Sequence, residues 1–195
     1  MTAAMVFLLG MLGAYLAGSI NFAIIFFRFL GKDDPRLHHS GNAGVSNVYR
    51  QAGWPLAALV LILDMGRAMG VALLARNFWA DALVPWAGLG LILGNHFSVF
   101  HGWPCGKGVA NYLGFYLLLL PLGTGLALAV YLMVFAVTRI SFLGSLGILA
   151  TLTGFAWVRW GHEPLALAAV LITAIGIVCF HRKNIAVLLQ HNDVR

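Results

Sequence analysis

Six uncharged apolar runs dominate the chain, at residues 3–27, 52–63, 82–100, 108–138, 140–158 and 164–180. The second carries on to about residue 75, past two ionisable side chains, Asp64 and Arg67. A bilayer core about 30 Å thick demands runs of this kind, since a helix rising ~1.5 Å per residue needs roughly 20 apolar residues to cross it. Backbone polar groups find no water there, so such segments fold as helices. Charge content agrees. Only 9% of the 195 residues are charged and 61% are hydrophobic, against roughly 25% and 45–50% in soluble domains. Water-soluble enzyme folds and disordered chains are excluded. The expected fold is an all-α integral membrane protein, one domain over residues 1–195.

The run 108–138 is too long for one ordinary crossing, and Pro121, Gly123 and Gly125 put turn chemistry near its middle. Charge decides whether it counts once or twice, because Lys and Arg collect on the cytoplasmic side. With seven spans and the N-terminus outside, nine bases fall inside: Arg28, Lys32, Arg36, Arg50, Lys107, Arg139, Arg182, Lys183 and Arg195. Only Arg76 and Arg159 fall outside, with Arg67 in the membrane. Six spans reduce the split to six against five. Seven transmembrane helices are therefore expected, with the C-terminus cytoplasmic. The first run follows Met1 with no positive charge and reaches Phe27 without a small-residue cleavage site, so it reads as a retained span.

This topology gathers the polar, glycine-rich stretches 31–51, 95–108, 138–141 and 181–195 on the cytoplasmic face. The outer connections, at 76–81, around 121–125 and at 159–163, are short and plain. Any chemistry is expected at the inner face. A solute pathway would instead leave polar groups through the membrane depth. The net charge of +6 and pI near 9.8 do not indicate a nucleic-acid partner, because the bases are scattered between apolar runs. Cys105 and Cys179 have no zinc-ligand spacing and read as reduced thiols, and the histidines show no metal-binding pattern.

Three polar segments exceed what packing requires. His39–Arg50 alternates small residues, hydroxyls and amides with two glycines, so its backbone N–H groups can close on an anion that Asn42, Asn47 and Arg50 could help to hold. A solvated loop with Arg50 among headgroups is the competing reading. In Gly102–Val109, Lys107 stands between Gly106 and Gly108, either as an anion cradle or as a snorkelling interfacial lysine. The third, His181-Arg182-Lys183-Asn184, places His181 and Asn184 on one face of a continuing helix beside a positive stop signal. Asp64 and Arg67, three apart in a span, read as a structural ion pair supporting that face.

Together these segments resemble the PlsY family, bacterial membrane glycerol-3-phosphate acyltransferases that use acyl-phosphate as donor. The matching stretches are Gly18-Ser19-Ile20-Asn21, Ser40-Gly41-Asn42-Ala43-Gly44-Val45-Ser46-Asn47-Val48-Tyr49-Arg50, Cys105-Gly106-Lys107-Gly108-Val109-Ala110 and His181-Arg182-Lys183-Asn184. The resemblance implies acyl transfer to the 1-hydroxyl of glycerol 3-phosphate, giving lysophosphatidic acid and phosphate, in a multi-pass protein of the bacterial inner membrane without metal or cofactor. It implies a pocket of Ser40, Asn42, Ser46, Asn47, Arg50, Gly106, Lys107, Gly108, His181 and Asn184, with Arg50, Lys107 and His181 around the glycerol phosphate and Ser141 near the donor phosphate. The hydroxyl proton could go to His181 or to the substrate's own phosphate. The phosphate is favoured, since a cationic pocket weakens imidazole as a base.

Several positions depart from the family pattern: Asn21 for proline, Ala43 for proline, Val45-Ser46 for Ala-Thr, Arg67 for lysine and Asn95 for histidine. Cys105 for glycine is expected to add a side chain beside the phosphate cradle, and Phe142 for serine to alter the donor end. These two leave room for a divergent paralogue with a changed donor or acceptor. A transporter of a phosphorylated solute is the alternative from another class.

Overall fold

The computed structural model describes residues 2–192; Arg195, one of the nine bases counted above, lies outside the described residues. Helix α1 spans Ala3–Ser19 and α2 spans Phe22–Phe29. Between them Asn21 caps α2, its Oδ1 accepting the N–H of Ile24 at 3.0 Å. The run 3–27, expected as one span, is thus a broken one. Helix α3 runs Val45–Phe78 and kinks where Gly53 (φ 78°) precedes Pro55, because proline lacks the N–H and crowds the preceding turn. It begins seven residues earlier than the apolar run, so Val45–Arg50 form helix and not loop.

Helix α4 is Val84–His96, α5 Val109–Leu119, α6 Pro121–Thr138, α7 Ser141–Trp160, α8 Pro164–Phe180 and α9 Arg182–Asn192. The break in 108–138 comes at Leu120, with Pro121 opening α6, where a missing N–H costs nothing. The expected turn around 121–125 is therefore a single residue; Gly123 and Gly125 are helical. Four segments, Ala3–Phe29, α3, α6 and α7, are long and apolar enough to cross a membrane, and α8 with the first part of α9, bent by 50°, makes a fifth if taken as one span. At 13 and 11 residues, α4 and α5 reach only about 20 and 17 Å.

The short α4 sits at the centre, with ten of its 13 residues buried. Glycines bring its neighbours in. A Cβ on Gly94 would run into the backbone carbonyl of Tyr15, and one on Gly18 into that of Leu91, so α1 and α4 touch backbone to backbone. Gly114 does the same for α5 against Met65 of α3. Beyond these seams, Phe115, Tyr116, Leu152 and Trp160 fill the core. The order of the helices carries the beginnings of α3, α5 and α7 and the end of α8 to one end of the bundle.

Candidate active site

A cavity of about 230 Å³ opens at that end, and all eleven residues named above as pocket members or as the donor-side serine line it. Three helices begin at its wall. Gly44, Gly108 and Ile140 precede α3, α5 and α7, and none of the three starts carries a side-chain cap. Their first N–H groups are left free and each end bears partial positive charge, an arrangement suited to anions. The start of α7 at Ser141 falls where the apolar run 140–158 begins.

The glycine-rich stretch is held from below. Gly41 turns with φ 63°. The buried Asn47 donates its amide hydrogens to the carbonyls of Pro35 at 2.8 Å, Asn42 at 2.9 Å and His38 at 3.2 Å. Asn47 therefore folds the loop, in addition to touching the cavity. Ser40 and Asn42 line the wall above it, and Arg50 is exposed at the rim.

The lysine turn hangs from the end of α4. The N–H groups of Cys105 and Gly106 donate to the carbonyls of His96 at 3.1 Å and Asn95 at 2.9 Å, and His96 Nδ1–H donates to the Gly106 carbonyl at 2.8 Å. Gly108 is left-handed (φ 87°), and a Cβ there would approach Ile92 Cδ1 to 2.8 Å. Glycine is required on both counts. Lys107 Nζ then reaches Asn184 Oδ1. Burial, followed by Arg50 and Lys183, lowers its pKa to about 8.

Cys105 departs from expectation. It is 1% exposed, and its thiol turns from the cavity to donate to the Gly102 carbonyl at 2.9 Å, packed with Ala23, Phe27 and Val48. We expect Cys105→Ala to leave turnover unchanged; a large loss would contradict this orientation. Phe142 does line the cavity, its ring centroid 6.5 Å from that of His181.

The third wall joins two helices. Ser46 and Ser141 share a hydrogen bond of 2.9 Å, and Tyr131 meets Ser141 at 3.0 Å. His181, 2% exposed, lies just past α8 and donates Nδ1–H to the Ile177 carbonyl at 2.8 Å. Nε2 is thereby left as the acceptor nitrogen. Burial, opposed by that hydrogen bond and aided by Lys107, lowers its pKa and favours the neutral ring. Asp64, Asn95, Asn111, Tyr131 and Ser145 also line the cavity and were not singled out as site residues. For Asn111 the signal was available: an amide in an apolar helix, one turn after Lys107. Leu61, Leu113, Leu128 and Ile148 give the cavity an apolar flank. Among the described residues no three His, Cys, Asp or Glu side chains cluster as metal ligands would.

Residues 8–191 match the family described as Glycerol-3-phosphate acyltransferase. A protein of that name from Pseudomonas syringae pv. syringae is 38% identical over 181 residues, covering 92% of this chain and 93% of its own length. One from Methylobacillus flagellatus is 37% identical over 184 residues, with 93% of each chain covered. The fold superposes on the crystal structure of PlsY, an integral membrane glycerol 3-phosphate acyltransferase. In its glycerol 3-phosphate form the TM-score is 0.88 at 31% identity, over 95% of this chain and 92% of that one. In its lysophosphatidic acid form the TM-score is 0.85 at 30% identity, with the same coverage.

Proposed function

This chain belongs to the glycerol-3-phosphate acyltransferase family, and we propose that it moves a fatty acyl group from acyl-phosphate to the 1-hydroxyl of glycerol 3-phosphate, releasing lysophosphatidic acid and phosphate. It is an integral membrane enzyme. The observation that carries the reading is the convergence of three uncapped helix starts, Lys107 and Arg50 on one cavity with an apolar flank. Such a site can hold two phosphates side by side against their repulsion and still admit an acyl chain. Acyl-phosphate is a mixed anhydride, so no enzyme nucleophile is needed. Holding hydroxyl oxygen and carbonyl carbon in contact supplies most of the acceleration.

The 1-hydroxyl oxygen attacks the acyl carbon, the bond from that carbon to the phosphate oxygen breaks, and phosphate leaves. The hydroxyl proton ends on phosphate, directly or by way of His181 Nε2. Lys107 and Arg50 oppose the charge that grows on the departing oxygens. Ser40, Asn42, Ser46, Ser141 and Asn184 act as neutral hydrogen-bonding groups around the two phosphates, and Asn47 and the two glycines keep their cradle in shape.

We place the protein in the bacterial inner membrane as a single domain, crossing seven times with the N-terminus outside and the site facing the cytoplasm. The alternating direction of the helices and the collection of polar groups at one end support this arrangement. The same asymmetry favours an interfacial enzyme over a transporter.

Purified protein in lipid, given palmitoyl-phosphate and labelled glycerol 3-phosphate, should yield labelled lysophosphatidic acid. Product from palmitoyl-CoA but none from palmitoyl-phosphate would overturn the donor. Lysine binds phosphate as the ammonium, and its pKa is lowered to about 8. kcat/KM should therefore fall as pH rises through about 8. Arginine stays protonated far above that range, so Lys107→Arg should remove this limb from whatever activity it retains. A wild-type profile flat well above pH 8 would contradict the assignment.

A further inference from the structure

Asp64 and Arg67, 7% and 8% exposed, form a 2.8 Å ion pair one turn apart on α3, and nothing in the acyl-transfer scheme uses Arg67. Its guanidinium has further partners. Nη2 donates to Asn111 Oδ1 at 2.6 Å, Nη1 donates to the Ile20 carbonyl at the α1–α2 break, and the group lies 5.2 Å over the Phe22 ring. Asn111 then donates Nδ2–H to Asn95 Oδ1 at 3.0 Å. Asn95 holds the Gly106 N–H with its carbonyl at 2.9 Å. A Cβ on Gly106 would come within 2.8 Å of the Asn95 amide carbon. A hydrogen-bonded chain thus starts where α1 breaks, crosses α3, α5 and α4, and ends on the residue before Lys107.

We propose that Arg67 is a positioning residue, acting through Asn111 and Asn95 on the turn 106–108 and so fixing where the Lys107 ammonium sits. The proposal rests on Lys107 being a phosphate ligand. The planar fork reaches Ile20 through Nη1 and Asp64 and Asn111 through Nη2, whereas a lysine ammonium gathers its three donors at one point on a flexible stem. Loss of the fork leaves a buried carboxylate and a buried amide oxygen without their donor. The part of the chain that must then shift is the turn that carries Lys107, and a displacement of about 1 Å there is enough to cost roughly 10²-fold in rate.

A double-mutant cycle tests this with full-length protein in lipid nanodiscs, palmitoyl-phosphate and radiolabelled glycerol 3-phosphate. Asn111→Leu removes both hydrogen bonds at similar volume and should lower kcat by about 10- to 100-fold. In a Lys107→Met background the same change should add little, because the group it positions is already gone. A merely structural role predicts the same fold-loss in both backgrounds, and that result would overturn the inference while leaving Lys107 as a ligand. Wild-type turnover from Lys107→Met would overturn the reading of the site, and the inference with it. Should Asn111→Leu fail to fold, Arg67→Lys, which keeps a cation beside Asp64, takes its place in the cycle. Unaltered kcat in that variant would equally reject the proposal.

Discussion

Lys107→Met should reduce acyl transfer by roughly 10²- to 10³-fold, the usual consequence of removing one preorganised electrostatic contact. The lysine earns that magnitude through its placement. It is partly buried, flanked by glycines that let substrate approach, and held through Asn184 on the helix after α8. Arg50 and the three helix starts remain in the variant, so substrate still binds and the loss should appear mainly in kcat. Stability should move the other way. The folded state binds the Lys107 proton more weakly than the unfolded chain does, so this group opposes folding below pH 8 and ceases to do so as pH rises from about 8 towards 10.5. Lys107→Met should therefore melt no lower than wild type at pH 7. Turnover assays and thermal melts on the same preparation test both halves. Equal loss of activity and of folded protein would mean that the lysine is structural.

The second large effect belongs to the seam between α1 and α4. Gly94→Val places a branched side chain where the carbonyl of Tyr15 already stands, with Ser19 N only 3.0 Å from the new Cβ. The obstacle is backbone, so no rotamer change relieves it and α1 must move away. We expect a loss of about 3 kcal/mol or more, the upper range for overpacking, seen as a lower melting temperature and poor yield. Gly13→Ala on α1 is the control. A Cβ there meets nothing within 4 Å, and alanine favours helix by up to about 1 kcal/mol over glycine. A Gly94→Val protein that melts with wild type would show that α1 does not pack this closely. Activity should fall with stability in the Gly94 variant, since the next two residues, Asn95 and His96, hold the lysine turn.

Much of this architecture is legible in the sequence because the bilayer imposes a length and an apolar composition on whatever crosses it. The helix ends near residues 138, 160 and 180 follow, and Pro121 announces the division of the long run. The start of α3 and the break at Asn21 do not follow, because each depends on a partner distant in sequence. Asn21 donates its amide to the Ala43 carbonyl at 3.1 Å, and apolar content says nothing of such a bond. The residues that line the cavity stood out as candidates because glycines, a lysine and amides cluster in short segments between apolar runs. The direction of the Cys105 side chain was not, since it depends on Gly102 and Arg36 meeting the same turn. Asn111 was legible as an amide in an apolar helix, but its partners were not: they sit on α3 and α4, 44 and 16 residues away.

The positive potential at this cavity has two kinds of source, and they differ in what can erase them. The charges of Lys107 and Arg50 vanish with one substitution each, and that of Lys107 also with alkali. The fields at the starts of α3, α5 and α7 belong to peptide groups that every residue carries. No single codon change removes them, and no proton leaves them in the working range of pH. Side chains around the mouth of the cavity are therefore free to drift while an anion is still drawn in. A lineage that lost the lysine would retain a membrane protein that captures phosphate esters and turns them over slowly, a ready starting point for a different reaction.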